Sequence, residues 1–462
     1  MPVRTACRSK KNITFEHQST LATQDIAVVP ANTSTVIDIT QAQQTRLLCV
    51  LIVLDAVVSF RSVPRILELF HSQTSLELPW TPHFTSVINW SLRVGLGLLR
   101  QVCPTCEPWI AIIDYSIDIG TKKALVVLRV KTQSLCQRGS AIQLQDCECI
   151  GLKVRETVNH QTVCQDLEDI FAIAGVPQAI VKDCDYTLAK GVRQWSAKQE
   201  KPVPVIDDIG HCMASALKSQ FEKTADYKAF TAALGQGAKC LRQTEFACLT
   251  PPKLRTKGRF QSISKLGEWG AKMLDVFAVK GGAKKGSVLA KLRTVFPGFL
   301  RMKPFIERFA LTTKIVSEVM EIIKNKGLNK VTYQQCYQLS KTLPRNSKVK
   351  THLQAWLKKH VQIQAELTEL PLLSSSDIIE TLFGNYKYML ERSPQADMNR
   401  SVLLIPALCG SRKEAVIDQA LNKAFQVDLA HWEEKNIPYT VRKKRQEFFK
   451  HKSQKSGKII TD

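Results

Sequence analysis

The chain has 462 residues, of which 44% are hydrophobic and 23% are charged. This length exceeds what one hydrophobic core usually covers, so two to four domains are expected, and the composition excludes an intrinsically disordered protein. Lysine and arginine number 65 against 41 acidic residues, which gives a formal net charge of +24. Such an excess disfavours an enzyme of small neutral metabolites. It favours a polyanionic partner, most simply nucleic acid, with an anionic membrane as the rival.

No segment of the sequence is typical of membrane insertion or export. The longest apolar run, Leu47 to Phe60, is interrupted by Asp55 and is too short to span a bilayer. The chain does not open with the charged and then apolar pattern of a signal peptide. The sequence therefore predicts a cytoplasmic protein.

Fourteen cysteines are scattered along the chain without the spacing of a disulfide framework, so reduced thiols are expected. Two local pairs, Cys103 with Cys106 and Cys147 with Cys149, could suggest a zinc site. The gap between the pairs is long, and the second pair lies in a strand-like stretch. Small buried residues are therefore the favoured interpretation.

The N-terminal part of the chain divides into an arm and a helical region. Residues 1–43 are polar and without a sustained period, which predicts a loose arm. Residues 44–102 predict three helices: over about 44–59, over Val63–Ser72, and a third that starts after Pro79, with Thr81 as the cap and Pro82 in the first position, and stops near Gly95. Three such helices are typical of a helix-turn-helix DNA-binding region, and equally of a bundle that supports the next domain.

Residues 103–212 alternate between strands and helices. Five strands are predicted, over Trp109–Asp114, Ala124–Val130, Glu148–Val154, Ala179–Val181 and Val203–Ile206. A turn at residues 120–123 joins the first two, and helices over His160–Ala174 and 186–197 connect the last three. A short turn implies an antiparallel pair and a helical crossover implies parallel neighbours, so the sheet is mixed. This order is that of the ribonuclease H-like fold, and the region is predicted to be the first part of a catalytic core.

Residues 213–370 predict a mostly helical, basic insertion. Within it, residues 253–303 carry thirteen Lys or Arg against two acids and are broken by prolines and glycines, a composition that suits a surface along phosphates better than a solvated linker. Arg255, Lys257 and Arg259 are the phosphate contacts expected there. Trp269 could stack on an unpaired base, but its helical spacing favours core packing.

The remaining residues predict a second part of the core over 371–430 and a basic tail over 431–462. A helix follows Ser374–Ser376, with an apolar stripe that includes Ile379, Leu382 and Tyr386. Between residues 442 and 458 there are eight Lys or Arg and one Glu, which predicts a flexible tail that contacts nucleic acid without sequence preference.

Three acidic residues stand where chemistry is expected. Asp114 and Asp183 each directly follow an apolar strand, and adjacent strands can bring two such carboxylates together. Glu380 lies next to the apolar stripe of the capped helix, with Lys387 two turns further on, in reach of a phosphate. Oxygen ligands of this kind favour two Mg²⁺ or Mn²⁺ ions.

The motifs that hold these acids are WIAIIDYSIDIGTKKALVVL, AIVKDCDYTLAKG and SSSDIIETLFGNYK. In this order they resemble the motifs of DDE transposases of bacterial insertion sequences, in the ribonuclease H-like superfamily. The resemblance covers roughly residues 44–425 and includes the RSVPRILELF…LPWTPHFTSVINWSLRVGL stretch as a helix-turn-helix. The separations between the acids are 183 − 114 = 69 and 380 − 183 = 197 residues, and the second implies an insertion before the acidic helix.

Some positions depart from the pattern of that family or compete with its acids. Lys182 stands where a small polar residue is common, and Ser376 where one subset has arginine. Asp185, two residues after Asp183, is a competing ligand, and Asp118 and Asp208 are spare acids near the same sheet edge. His211 could contact a phosphate or act as an auxiliary acid–base group, although a single His is more often structural.

The resemblance implies a transposase that cuts phosphodiester bonds at the ends of a mobile element and joins the 3′-OH to target DNA by two-metal catalysis. Its partners would be terminal inverted repeats and target DNA, bound by a homodimer associated with a bacterial nucleoid, with no membrane. Two alternatives stay open. One is a structure-specific nuclease of the same fold, and the other is a non-catalytic basic DNA-binding protein.

Overall fold

The computed structural model describes residues 41–74, 80–119, 122–138, 140–254, 260, 263–279, 281–367, 372–390 and 398–456. Expected features at residues 1–40 and at Arg255, Lys257 and Arg259 lie outside this part of the chain. No helix of the described part has the length and apolar character needed to cross a membrane.

A mixed five-stranded sheet lies at the centre of residues 103–212. Its strands are β1 (Trp109–Ile119), β2 (Lys122–Lys131), β3 (Cys147–Arg155), β4 (Ala179–Lys182) and β5 (Val205–Asp207). The strand order is β3-β2-β1-β4-β5, with β1, β2 and β3 antiparallel and with β4 parallel to both β1 and β5. The predicted mixed sheet is therefore present, and its topology is compatible with a ribonuclease H-like fold.

Eighteen helices are described around the sheet. The first six are α1 (Gln41–Ala56), α2 (Ser62–Gln73), α3 (Phe84–Arg100), α4 (Thr132–Arg138), α5 (His160–Ala174) and α6 (Tyr186–Ala197). Between β5 and the acidic helix come α7 (Ile209–Phe221), α8 (Ala225–Leu241), α9 (Ser264–Phe277), α10 (Val288–Val295), α11 (Lys303–Lys326), α12 (Lys330–Lys341) and α13 (Lys348–Leu367). The last five are α14 (Asp377–Leu390), α15 (Leu404–Ala407), α16 (Glu414–Lys423), α17 (Gln426–Asn436) and α18 (Val441–Ser456).

The two faces of the sheet belong to different cores because side chains alternate along a strand. Ala111, Ile113 and Ile180 pack with residues of α5 and α6. Ile112 and Val181 pack on the opposite face, in the larger core that also includes α14 and the helices of residues 209–367.

The third N-terminal helix differs from its prediction at both ends. α3 begins at Phe84 with His83 as its cap, two residues later than expected, and continues past Gly95 to Arg100. A Cβ atom on Gly95 would lie 1.7 Å from the backbone oxygen of Leu403, and one on Gly97 would lie 1.9 Å from that of Ala420. These glycines therefore serve close helix packing and do not end the helix.

This packing also bears on the helix-turn-helix hypothesis. The apolar face of α3 is buried, and Arg93 on the same helix donates hydrogen bonds to the backbone oxygens of Leu421 and Ala424, both at 2.7 Å. A recognition helix needs a face that is free to enter a DNA groove. The contacts of α3 therefore favour the alternative of a supporting bundle.

The C-terminal basic segment is helical where a flexible tail was expected. α18 covers 16 residues, and Phe448 and Phe449 on it are exposed. The segment from 441 to 456 has no Gly or Pro and is rich in Lys, Arg and Gln, which all have good helix propensity. The flexible tail expected from composition is thus a helix in the structure, and the propensity of these residues favours it.

Candidate active site

Asp114 and Asp183 are neighbours across the sheet. Ile113 of β1 is in parallel register with Lys182, the last residue of β4, so Asp114 stands beside Asp183, which directly follows β4. By the alternation of each strand, both aspartates are on the face of Ile112 and Val181, which is the face covered by α14. Both are partly exposed, at the end of the buried part of their strands. Two carboxylates thus meet at the point where β4 ends, although Asp114 was expected to follow its strand and instead lies within β1, which continues to Ile119.

The electrostatics of Asp114 reflect this meeting. Burial raises the pKa of Asp114 to about 8, helped by the negative charges of Asp183 and Glu380, while His211 acts in the opposite direction. Carboxylates that repel one another in a poorly solvated position hold protons more strongly. The site therefore has an excess of negative charge that a cation would neutralise.

His211 lies between two further carboxylates. Its Nδ1 is 3.0 Å from Oδ1 of Asp208, and its Nε2 is 3.4 Å from Oε1 of Glu380. Burial of the ring disfavours its charged form, but the hydrogen bond to Asp208 and the charges of Asp208, Glu380 and Asp183 outweigh this and raise the pKa of His211 to about 9. The ring is thus an imidazolium at neutral pH, and it can donate from both nitrogens.

Asp208 fixes the position of the His211 ring. It is fully buried as the cap of α7, and it accepts hydrogen bonds from the backbone N–H groups of His211 (2.6 Å) and Ser376 (2.7 Å). Burial alone would raise the pKa of Asp208, but its hydrogen bonds from His211 and Ser376 reverse the effect and hold the pKa below the ordinary value. The sequence offered Asp208 as an additional acid near the sheet edge. In the structure its carboxylate caps α7 and holds the His211 ring and the Ser376 backbone.

Glu380 reaches the site from the first turn of α14. The segment before this helix is fixed to the start of α7, because Ile209 N–H donates to the Ser374 oxygen at 3.1 Å and Ser376 N–H donates to Asp208. The Glu380 side chain is 43% exposed, and burial, Asp377 and Asp208 raise its pKa against the effects of His211 and Lys324. The structure thus brings Glu380 to the same group of charges as Asp114 and Asp183.

Three other residues named from the sequence have different positions in the structure. Lys387 is exposed on α14, two turns beyond Glu380 on the same helix. Asp185 is not grouped with the acids, because its carboxylate caps α6 by accepting from Leu188 N–H at 2.9 Å. The side chain of Asp118 lies outside the described part of the structure.

Trp269 is part of an aromatic cluster in the helical segment and not a free stacking surface. Its ring makes edge contacts with Phe296 and Phe299, at centroid distances of 5.6 and 6.0 Å. Its indole N–H donates to the backbone oxygen of Leu249 at 3.2 Å. These contacts occupy the side chain, so the DNA-stacking hypothesis is replaced by the favoured interpretation of core packing.

A polar anchor that sequence reasoning missed lies next to the site. Lys182, almost fully buried, donates to Asp207 at 2.7 Å and to the backbone oxygen of Asp183 at 2.9 Å. Lys359 of α13 donates to the other oxygen of Asp207 at 2.7 Å, and the buried His360 ring accepts from Asp207 N–H at 3.0 Å. The two lysines outweigh the effect of burial and lower the pKa of Asp207 to about 2. The unusual Lys182 before the second acid was the signal of this anchor.

Metal ligands were also predicted from the sequence. Across the described residues, no group of three or more His, Cys, Asp or Glu side chains is already arranged as a metal cage. Cys147 and Cys149 are buried in β3, whereas Cys103 and Cys106 are exposed in the loop before β1. The two pairs thus differ in environment, and Cys147 and Cys149 belong to the larger core.

At least one solved structure is similar to this chain, at low sequence identity. No family model matches the chain, and no curated protein matches it. Among solved structures, the Drosophila P element transposase strand transfer complex is similar with a TM-score of 0.41 and 9% sequence identity, covering 79% of this chain and 91% of that chain. At this identity and TM-score the likeness establishes neither family nor function.

Proposed function

We propose that this protein is a DDE-type transposase, in which Asp114, Asp183 and Glu380 form the catalytic acids. The observation that supports this most directly is the register of β1 and β4, which makes Asp114 and Asp183 neighbours on the face covered by the helix of Glu380. The order of the strands in the mixed sheet, which is compatible with a ribonuclease H-like fold, also supports the proposal.

The donor set fits Mg²⁺ or Mn²⁺. All three side chains offer carboxylate oxygens, and the raised pKa of Asp114 reflects repulsion that a cation relieves. Asp114 and Asp183 would hold the ions from the sheet, and Glu380 would join them by leaving its contact with His211. When bound, two such ions activate the attacking oxygen and stabilise the leaving oxygen of an in-line phosphoryl transfer.

The residues around the acids have supporting roles in this proposal. The imidazolium of His211, held by Asp208, offers a fixed positive charge next to the acids and contacts a phosphate of the DNA. Lys387 grips a second phosphate two turns further along α14. Preorganised charges of this kind cost no reorganisation during the reaction.

The basic surface supports DNA as the partner. The formal net charge is +24, and α18 carries a run of Lys and Arg with exposed side chains. In this proposal α18 and the basic residues of 253–303 (Arg255, Lys257 and Arg259 among them) bind the phosphate backbone of inverted repeats and target, and two copies pair the ends. The helices between β5 and α14 are the insertion that separates the second acid from the third.

The experiment is a cleavage and joining assay. The purified protein is incubated with labelled DNA that flanks its own coding sequence, with Mg²⁺ or with a chelator. We expect nicks at defined ends and joined products with Mg²⁺ alone, while binding of the DNA persists in the chelator. Cutting without joining would indicate the nuclease alternative, and binding without any cutting would indicate a non-catalytic DNA-binding protein.

A further inference from the structure

Two cysteine sulfurs meet beside the acidic cluster. Sγ of Cys184 and Sγ of Cys212 are 2.8 Å apart, although 28 residues separate them in the chain. This distance is less than 1 Å longer than the bond of about 2.05 Å that joins the sulfurs of a disulfide. Cys184 directly follows Asp183, and Cys212 directly follows His211. Neither thiol has a role in the proposed reaction.

The surrounding backbone fixes this encounter from both sides. On one side, Lys182 ties the end of β4 to Asp207 and to the Asp183 oxygen, and Asp185 N–H donates to Oδ1 of Asp183 at 2.9 Å. On the other, the N–H of Cys212 donates to the backbone oxygen of Asp208, at 3.0 Å in the first turn of α7. The fold therefore holds both segments so that the two sulfurs already stand next to each other.

Cys184 and Cys212 differ from the buried cysteines of the core in their exposure to solvent. Cys184 is exposed and Cys212 is half-buried, so a small oxidant reaches the first sulfur from solvent. Cys147, Cys149 and Cys409 are buried in the core. Cys103 and Cys106 are exposed like Cys184 and make a suitable control, because they are near each other in sequence and lie in the loop before β1.

We propose that Cys184 and Cys212 form a thiol modification site whose substrate is a hydroperoxide. The Cys184 sulfur attacks one oxygen of the peroxide, the O–O bond breaks, and the sulfur becomes a sulfenic acid. The other oxygen leaves as water when the oxidant is hydrogen peroxide. The Cys212 sulfur then attacks the sulfenic sulfur, which forms the S–S bond and releases a second water. Overall, two thiols and one hydrogen peroxide give one disulfide and two waters, and a dithiol reductant reverses the change.

The disulfide has a consequence that rests on the proposed function. It joins the loop that holds Asp183 to the helix that holds His211, so the two can no longer move relative to each other. In the proposed function Glu380 leaves His211 to join Asp114 and Asp183, and a covalent tether between the Asp183 loop and the start of α7 would restrict that rearrangement. Oxidation therefore lowers DNA cleavage several-fold, and the reductant restores it.

The test uses peptide mapping of the full chain. The reduced protein is treated with a small excess of hydrogen peroxide, its remaining thiols are alkylated, and its peptides are identified by mass spectrometry. We expect a linked peptide pair that contains Cys184 and Cys212, which disappears in Cys212→Ser and persists in the double variant Cys103→Ser/Cys106→Ser. Recovery of both cysteines in alkylated form would overturn the proposal.

Cleavage is measured on the same samples. A loss in the oxidised wild type that Cys212→Ser does not show, with recovery in dithiothreitol, supports the link to catalysis. A mapped disulfide with unchanged cleavage would overturn that link. If the reduced protein cleaves no DNA, the proposed function fails while the mapping still decides on the modification site.

Discussion

The carboxylate of Asp208 accepts a hydrogen bond from the backbone N–H of Ser376, 168 residues further along the chain, at 2.7 Å. This bond connects the start of α7, directly after the sheet, to the start of α14. Because Asp208 also holds His211, one buried side chain sets the position of the ring and of the helix that presents Glu380.

Replacement of Asp208 should therefore destabilise the protein more than loss of an ordinary cap. In Asp208→Ala the N–H groups of Ser376 and His211 lose a buried partner, and each such loss costs about 1–3 kcal/mol. We expect the free energy of unfolding, measured by urea denaturation, to fall by roughly 3 kcal/mol. Asp185→Ala is the control, since it removes an exposed cap worth about 1 kcal/mol. Equal losses in the two variants would contradict the role of Asp208.

The three acids should be needed for cleavage and dispensable for binding. Asp114→Asn, Asp183→Asn and Glu380→Gln keep the size of each side chain and remove its charge. We expect each to lower Mg²⁺-dependent cleavage by more than about 100-fold, since even supporting residues of metal sites reach that effect. DNA affinity, measured by fluorescence anisotropy, should change little.

Asp185→Asn is the matched variant for this series. Asp185 lies two residues from Asp183, but its side chain caps α6, and Asn is an equally good cap. Cleavage by Asp185→Asn should remain close to wild type. Full activity in any of the three variants above would remove that residue from the site.

His360 should make stability depend on pH. The ring is fully buried, accepts from Asp207 N–H through Nε2, and has a pKa lowered to about 4, first by burial. The unfolded chain binds a proton near pH 6.5 and the folded protein does not, so this contribution is complete above pH 6.5 and is lost as the pH falls towards 4. At 1.36 kcal/mol per pKa unit, the loss amounts to about 3 kcal/mol.

The variant His360→Gln isolates this effect from that of other groups. Glutamine can accept from Asp207 N–H but cannot be protonated in this range. The difference in the free energy of unfolding between pH 7 and pH 4.5 should be about 2 kcal/mol smaller in the variant than in wild type. The same pH dependence in both proteins would exclude His360 as its source.

DNA binding through α18 should be visible in its salt dependence. Each phosphate contact contributes a slope of about 0.9 to the fall of log K with log salt concentration. Arg445→Ala/Lys450→Ala removes two exposed cations of α18, so the slope should become shallower by up to about 1.8. Glu447→Gln removes an acid from the same helix and should strengthen binding. An unchanged slope in the double variant would exclude these residues from the phosphate contacts.

Elements with local signals were predicted well from the sequence. α5 has the predicted bounds of His160–Ala174, because Asn159 caps its start and Gly175, with φ of +86°, ends it. The strands were found from their apolar runs, and the lengths of the connections indicated the mixed sheet that the structure has. Asp114 and Asp183 were singled out because each follows such a run.

Features that depend on distant partners were not predictable in this way. The bond of Asp208 to Ser376 joins residues that have no local relation in the chain. The same holds for the contact of Cys184 with Cys212. Gly95 was taken as a stop signal for α3 because a glycine has the same appearance in sequence whether it ends a helix or admits a neighbour.

The packing role of these glycines can be tested by adding one methyl group. Alanine favours an exposed helix over glycine by about 1 kcal/mol. In Gly97→Ala the new Cβ would lie 1.9 Å from the Ala420 backbone oxygen, so α16 or α3 must shift, and we expect a net loss of about 1–3 kcal/mol in the free energy of unfolding.

In Gly235→Ala, within α8, the new Cβ would meet no atom within 4 Å, so stability should rise by up to about 1 kcal/mol. Opposite signs in thermal or urea denaturation are the expected result, because the two sites share the propensity gain and only one has the clash. A stabilised Gly97→Ala protein would show that α3 has room beside α16 and would reopen the possibility that this helix can separate from the core to bind DNA.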